Sequence, residues 1–195
     1  MIRLRFTDEP EAFAHKAWNA LDLTPPADVD LVARKLGIDV HRQEFVPEID
    51  GLYLRIPGCP PVIAVNSSYV KPVGRQRFTA AHEIGHHLLS HGRTTSDRVF
   101  FLDKAGMSKS TTERACDRFA ALLLLPEDLV REHFASLSGN PENRVAILAE
   151  RFGVSTAAVR RRLRELGLPY GVDRFGRVYG WRELVGARSA REATG

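Results

Sequence analysis

The sequence predicts an α+β fold in which a small antiparallel sheet packs on helices, one of them carrying the motif H-E-x-x-H, and a helix-turn-helix-like helical unit follows. Two observations predict this fold. Apolar residues recur at helical spacing from residue 8 to residue 36 and again after residue 75. Between these stretches, short segments rich in Val, Ile, Tyr and Phe are separated by proline or glycine, which is typical of strands joined by turns.

The first third of the chain is predicted to form two helices and three strands. Phe13 and Trp18 belong to an apolar stripe at helical spacing over residues 8–21. A second helix over 28–36 ends at Gly37, the residue type that most often follows a helix. The three strands are expected over 38–45, 51–56 and 61–66.

The rest of the chain is predicted to be mostly helical. The H-E-x-x-H motif lies in a helix over 75–90. A strongly apolar helix over 110–125 stops at Pro126, which is well suited to begin the next helix. The remaining predicted elements are a strand over 98–103 with a polar loop after it, helices over 142–151 and 155–166, and a hairpin over 169–181.

The composition is that of an ordinary globular protein of 195 residues, 44% of them hydrophobic. The first residues carry charges and lack an apolar segment of signal-peptide length, and no later apolar run approaches a membrane span, so we expect a cytoplasmic protein without membrane contact. Cys59 and Cys116 show no paired spacing and are expected to be reduced thiols. The net charge of +4 permits contact with nucleic acid without requiring it.

The segment RFTAAHEIGHHLLSH contains four histidines that compete for a metal role. In a helix, residues four positions apart differ by about 40° in direction, so His82 and His86 can share one ion. Glu83 lies beside them, where a carboxylate can hold a metal-bound water. His87 and His91 point elsewhere and have no expected metal role. The alternative interpretation is a cluster of packed histidines without metal.

A third ligand has to come from outside this helix, and Glu113 is the main candidate. Glu113 and Asp117 lie one turn apart, a spacing that suits a carboxylate on the ion followed by one that orients a ligand histidine. Ser110-x-x-Glu113 is also a capping box, which needs no metal, and the residues alone leave these two interpretations of Glu113 even. Asp117 taken alone is better explained by an ion pair with Arg114 or Arg118.

Four segments together resemble the ImmA/IrrE family of bacterial and phage metallopeptidases. H-E-x-x-H followed by E-x-x-A-[ND]-x-F-A-x-x-L-L-x-P is much narrower than H-E-x-x-H alone. Leu125 replaces the methionine usual in the family, and Asp117 stands where asparagine is common. The segments lie at 26–38, 62–66 (VIAVN), 75–86 (RQRFTAAHEIGH) and 113–126 (ERACDRFAALLLLP).

The resemblance implies that the first part of the chain, 1–135, is a zincin-like metallopeptidase domain. From the residues we expect a helix-turn-helix-like unit over 136–185, with the hairpin as its wing, and a flexible tail over 186–195. It implies His82, His86 and Glu113 as ligands of Zn²⁺, with Mn²⁺ or Fe²⁺ as alternatives, and Glu83 as general base. Members of the family characteristically cleave helix-turn-helix repressors in a stress response or during induction of mobile elements. The expected function is therefore a metal-dependent endopeptidase of narrow specificity whose substrate is such a repressor.

Two further features of a peptidase have only weak candidates. Tyr69 and His91 are considered as oxyanion donors, although each is more often a loop or packing residue. The strand over 62–66 either offers an open edge for an extended substrate or lies inside the sheet, and the sequence leaves both open.

The C-terminal segment supports a different class of function. Ala149, Gly153 and Val159 have the spacing of a helix-turn-helix motif, Ser155 is an expected N-cap, and arginines crowd the second helix, 155–166. The alternative functions are thus a DNA-binding transcriptional regulator with a structural metal site, or a toxin or other partner-binding protein. The alternative without DNA binding is a packed helical unit whose arginines form a solvated basic face. The arginines concerned are Arg160, Arg161, Arg162 and Arg164.

Overall fold

The periodicity of the apolar residues is realised as helices and strands throughout the part of the chain that this computed structural model describes, residues 10–90, 99–104, 110–172 and 178–179. The helices are α1 (Pro10–Leu21), α2 (Val29–Lys35), α3 (Val73–Ser90), α4 (Thr111–Leu124), α5 (Glu127–Ser136), α6 (Pro141–Phe152) and α7 (Thr156–Glu165). The strands are β1 (Asp39–Gln43), β2 (Ile49–Arg55), β3 (Val62–Asn66), β4 (Val99–Lys104), β5 (Gly171–Val172) and β6 (Val178–Tyr179). Each predicted element is present, with ends shifted by a few residues at most. The predicted tail, 186–195, and most of the loop after β4 lie outside the described residues.

The first four strands form one mixed sheet in the order β1-β3-β2-β4. β2 is antiparallel to both β3 and β4, whereas β1 and β3 are parallel. The prediction of an antiparallel sheet was therefore wrong for the β1–β3 pair. The alternation of residues along a strand identifies its buried face but not its partner, and here β3 lies between the two strands that precede it in the chain.

The interior position of β3 also decides between the two alternatives for residues 62–66. β3 is hydrogen-bonded on both sides, to β1 and to β2, and four of its five residues are buried. The interpretation as an open edge was wrong, and that as an interior strand is confirmed. Among the described strands of this sheet, the edges are β1 and β4.

A β-bulge in β2 turns two neighbouring residues toward α3. Ile49 lies opposite Lys104 and Gly51 lies opposite Asp103, so Asp50 is the extra residue. Asp50 and Gly51 are both buried, which breaks the alternation of the strand at this point. The bulge thereby brings a carboxylate and a glycine together beneath α3.

The Asp50 carboxylate, 3% exposed, joins β2 to the beginning of α3. It accepts hydrogen bonds from Lys71 Nζ at 2.8 Å and from the Arg75 guanidinium in the first turns of α3. Burial acts to raise the pKa of Asp50, but the hydrogen bonds and charges of Arg75 and Lys71 outweigh it and leave this pKa below its ordinary value. The ionised carboxylate therefore fixes the start of α3 against the sheet.

Two helices of the first compact unit, α1 and α3, pack on α4. α3 and α1 both contact α4 extensively, and the indole Nε1 of Trp18 donates a hydrogen bond of 2.9 Å to the Leu123 carbonyl. Phe13, Phe119 and Leu123 are buried in this layer. Both cysteines are free thiols, as expected, with Cys59 exposed and Cys116 buried.

The chain divides into two compact units, the first ending at Pro126 and the second beginning at Glu127. Gly153, at a left-handed φ of 62°, ends α6, and the Ser155 side chain accepts from Ala158 N at 3.1 Å to cap α7, as predicted. β5 and β6 pair antiparallel, in agreement with the predicted hairpin. Among the described helices, none is long and apolar enough to cross a membrane.

We expect Asp50→Asn to lower the free energy of unfolding by about 3 kcal/mol at pH 7, because it leaves two cations beside a neutral amide in a buried position. Asp30→Asn is the control, since its pair with Arg42 is partly exposed and should contribute less than about 1 kcal/mol. A lowered pKa stabilises the fold above the unfolded value of 3.8, and this contribution is lost as the pH falls through the folded value. Urea titrations should therefore show the wild-type advantage over Asp50→Asn shrinking below about pH 4; an advantage that does not change with pH would contradict this account.

Candidate metal centre

The two outer histidines of H-E-x-x-H meet on one buried face of α3. One turn of helix separates His82 from His86, and both side chains are almost completely buried. Their Nε2 atoms lie 3.1 Å apart. The predicted convergence of these two side chains is therefore observed.

Glu113, in the first turn of α4, reaches both histidines. Its Oε2 lies 3.1 Å from His82 Nε2, and its Oε1 lies 3.2 Å from His86 Nε2. The backbone N–H of the same residue donates to Ser110 Oγ at 3.2 Å. The N-cap therefore uses the backbone of Glu113, and its carboxylate faces the two histidines, where a ligand would have to lie.

Asp117 orients the first histidine. One turn after Glu113 on α4, its Oδ1 lies 3.0 Å from His82 Nδ1. A hydrogen bond from Nδ1–H to this carboxylate leaves the lone pair of Nε2 directed at Glu113 and His86, the tautomer that a metal ligand requires. Arg118, one of the two arginines considered as partners of Asp117, donates to Glu11 at 2.9 Å.

Gly85, inside the motif, lets α4 approach α3 closely. A Cβ at this position would lie 3.0 Å from the Cα and 3.1 Å from the Cβ of Cys116. The glycine therefore sets the distance across which Glu113 meets the histidines. Sequence reasoning missed this role, although a glycine in a helix interior, where it costs about 1 kcal/mol relative to alanine, was a usable signal.

The positions of the three donor atoms fit a divalent cation. Tetrahedral sites place nitrogen and oxygen ligands about 2.0–2.2 Å from zinc, which separates the ligands from one another by about 3.3 Å. His82 Nε2 lies 3.1 Å from His86 Nε2 and 3.1 Å from Glu113 Oε2, and His86 Nε2 lies 3.2 Å from Glu113 Oε1, the other oxygen of the same carboxylate. We call His82, His86 and Glu113 the donor triangle. The Glu113 side chain is 29% exposed, so this side of the donor triangle is accessible to a water or a substrate carbonyl. Three protein donors with one open direction are typical of catalytic rather than structural zinc sites.

The electrostatics of the site keep His86 neutral. Burial, followed by the proximity of His82, lowers the pKa of His86 to about 3, although Asp117 acts in the opposite direction. Neutral imidazole is the form that coordinates a cation. The Cys116 thiol, behind the site, has a pKa raised by burial and then by the charges of Glu113, Glu83 and Asp117, so this thiol stays protonated.

Glu83 is fully buried beside the histidines, at 0% exposure. Its Oε1 lies against the β2 bulge, since a Cβ on Gly51 would come within 3.4 Å of that oxygen and within 2.4 Å of Thr79 Cγ2. Gly51 therefore makes room chiefly for Thr79, one turn before Glu83 on the same face of α3. This glycine was not identified from the sequence, because the requirement depends on a helix that packs on the strand.

The other candidates lie apart from the donor triangle or outside the described residues. His87 is buried, and its Nδ1 is hydrogen-bonded to the Tyr53 hydroxyl at 3.0 Å, which gives it a packing partner on β2. Burial raises the pKa of Tyr53 to about 12. Tyr69 is 95% exposed in the loop before α3. His91 falls outside the described residues.

Comparison with known proteins assigns this arrangement to a family. The model of a peptidase family described as the IrrE N-terminal-like domain matches residues 33–164, which include α3, α4 and the whole donor triangle. The chain belongs to this family. The resemblance to ImmA/IrrE metallopeptidases expected from the sequence is confirmed.

Two individual proteins are similar to this chain over most of its length. The radiation response metalloprotease IrrE of Deinococcus radiodurans is 30% identical over an alignment of 172 positions, which covers 84% of this chain and 50% of that protein. The solved structure of a Mycobacterium tuberculosis transcriptional regulator has a TM-score of 0.50 at 17% identity and covers 87% of this chain and 53% of that one. The second likeness concerns the fold alone. The chain thus spans about half the length of both proteins.

We expect Gly85→Ala to destabilise the protein by about 1–3 kcal/mol through overpacking against Cys116, in spite of the better helix propensity of alanine. The separation of α3 and α4 should increase, so the affinity for Zn²⁺ should fall as well. Thermal unfolding in chelator measures the first effect, and titration with Zn²⁺ against a competing chelator measures the second. A variant as stable as the wild type with unchanged Zn²⁺ affinity would show that the close approach at Gly85 does not control the site.

Proposed function

We propose that the protein is a metal-dependent endopeptidase of narrow specificity, with His82, His86 and Glu113 as ligands of the ion and Glu83 as general base. The observation that carries this proposal is the Glu113 carboxylate, whose two oxygens face the two histidine Nε2 atoms at 3.1 and 3.2 Å. The donor set of two imidazoles and one carboxylate suits Zn²⁺ and also accepts Mn²⁺ or Fe²⁺. Membership of the peptidase family agrees with this chemistry.

Each residue of the site has a separate role in the proposed hydrolysis. A bound divalent ion would supply Lewis acidity to a water and to the scissile carbonyl. Glu83 accepts the proton of the attacking water and delivers it to the leaving amine nitrogen. Asp117 holds the His82 ring with its Nε2 toward the centre, and the apolar surroundings of His86 keep that ring neutral. The resulting zincin-like arrangement depends on the α3–α4 contact.

An extended substrate segment would pair with β4. β3 is interior, so it offers no free hydrogen-bonding groups, whereas β4 is an edge strand of the described sheet. Phe101 of β4 stacks on His86, which places this edge beside the donor triangle. Addition of a strand to a sheet edge holds a peptide extended and selects flexible segments over folded ones, in agreement with narrow specificity.

The proposed substrate is a helix-turn-helix transcriptional repressor whose cleavage derepresses its genes. The substrate is proposed from the resemblance to the ImmA/IrrE family, and the name of the related radiation response metalloprotease supports the setting. The proposed setting is a stress response or the induction of a mobile element.

The arginines of α7 give little support to the DNA-binding alternative. Arg160 pairs with Glu142 on α6, Arg161 lies 3.3 Å from Glu165, and Arg164 lies over the Tyr170 ring at 4.9 Å. Arg162 is buried rather than presented to solvent. Arg161 and Arg164 remain exposed and contacts of this surface kind are weak, so α7 is equally consistent with a solvated basic face and with a helix that contacts DNA. No described feature favours a toxin or a purely partner-binding role.

We expect Glu83→Gln to retain Zn²⁺ and the fold but to reduce cleavage by a factor of at least about 100, because the amide cannot accept the proton of the attacking water. The assay is incubation with the helix-turn-helix repressor encoded beside the gene, with and without chelator, followed by gel analysis of fragments. Glu132→Gln, the same change on the exposed surface of α5, is the control and should cleave normally. Cleavage at the wild-type rate by Glu83→Gln would eliminate the proposed base.

A further inference from the structure

The two proposed ligand histidines have different neighbours. His82 is hydrogen-bonded to a carboxylate, Asp117, whereas His86 is stacked on an aromatic ring, Phe101. The rings of His86 and Phe101 are stacked, with centroids 4.1 Å apart and planes inclined by 16°. Phe101 comes from β4 and is half-buried, whereas the His86 ring is almost completely buried. The β4 strand thus supplies one wall of the histidine's surroundings.

This wall is itself fixed by the sheet. Phe101 lies directly opposite Tyr53 in the β2–β4 pair, and their rings are stacked with centroids 6.4 Å apart. Tyr53 in turn bonds His87, the residue after His86. The two cross-strand aromatic residues therefore contact two consecutive histidines of α3, one each, and hold this turn of the helix against the sheet.

Stacking on an aromatic face does two things for a ligand imidazole. It restricts rotation of the ring about its side-chain bonds, so that less freedom is lost when the nitrogen binds a cation. It also favours the loaded state, because an imidazole bound to a divalent ion is electron-poor and is attracted to the negative face of the phenyl ring. For His82, the hydrogen bond to the Asp117 carboxylate restricts the ring and favours the metal-bound form.

We propose that Phe101 is a positioning residue of the metal centre, which acts by stacking on His86 and thereby strengthens the binding of a divalent cation. This inference rests on the proposed ligand role of His86. It assigns the edge strand a share in metal affinity, in addition to any contact with substrate. It also predicts that the aromatic character of residue 101, rather than its hydrophobicity alone, is required.

The neighbouring phenylalanine offers a matched control. Phe100 is on the same strand but is 59% exposed and faces the other side of the sheet. Phe101→Leu should weaken the binding of Zn²⁺ by about 10-fold or more, in the range found when orienting partners of metal ligands are removed. Phe100→Leu should leave the affinity unchanged, and Phe101→Tyr should retain most of it. Affinities are obtained by competition with a chromophoric chelator, and the absorption spectrum of bound Co²⁺ reports the geometry of the site independently of catalysis.

A cycle with His86→Ala separates positioning from a general effect on folding. If Phe101 acts through His86, then Phe101→Leu should have no further effect on Zn²⁺ affinity once His86 is alanine. Thermal unfolding in chelator verifies that each variant is folded at the temperature of the titration. Equal affinity of Phe101→Leu and wild type, equal losses for Phe100→Leu and Phe101→Leu, or a loss that persists in the His86→Ala background would overturn the proposal. A wild-type protein that binds no Zn²⁺ would instead overturn the metal centre, and the proposed peptidase mechanism with it.

Discussion

The close packing of α3 on α4 at Gly85 is the contact on which the candidate site depends. The two histidines come from one helix and share a face by helical geometry alone, but two imidazoles do not make a site. The carboxylates that complete it, Glu113 and Asp117, are presented from one face of α4, and they reach His82 and His86 only because no side chain at Gly85 separates the helices at Cys116. The close contact between the two helix backbones therefore sets the distances between the carboxylate oxygens of α4 and the histidine nitrogens of α3.

The sheet contributes a second surface on the other side of α3. Its strand β2 carries a bulge at Asp50, which fixes the start of α3 through an ion pair and places Gly51 beneath Glu83. Two residues further along, Tyr53 lies beneath His87. Residues two apart on β2, Gly51 and Tyr53, thus contact residues one turn apart on α3, Glu83 and His87. The buried carboxylate of Glu83 and the neutral ring of His86 are held in a layer between sheet and α4, where electrostatic interactions are weakly screened.

The parts of this arrangement that are local in sequence could be predicted, and the parts that depend on two distant elements could not. The convergence of His82 and His86 follows from a helix period. The spacing of Glu113 left a cap and a ligand equally favoured, and the family pattern favoured the ligand. In the structure its backbone N–H is bonded to Ser110 and its carboxylate faces the two histidines. The pairing of β1 with β3, by contrast, is not encoded in the alternation of either strand. Nor does the sequence state which glycine faces a neighbouring backbone. The arginines of α7 form a cluster in sequence, yet their partners lie on separate parts of the helical unit.

The location of a bound metal tests the account most directly. Crystals grown with Zn²⁺, with diffraction recorded on both sides of the zinc absorption edge, would give the position of the ion from its anomalous signal. The account predicts one peak about 2.0–2.2 Å from His82 Nε2, His86 Nε2 and a Glu113 oxygen, with the remaining direction open to solvent. A peak bound to His87 or His91, or a Glu113 carboxylate turned away from the ion and bonded only within the first turn of α4, would contradict it.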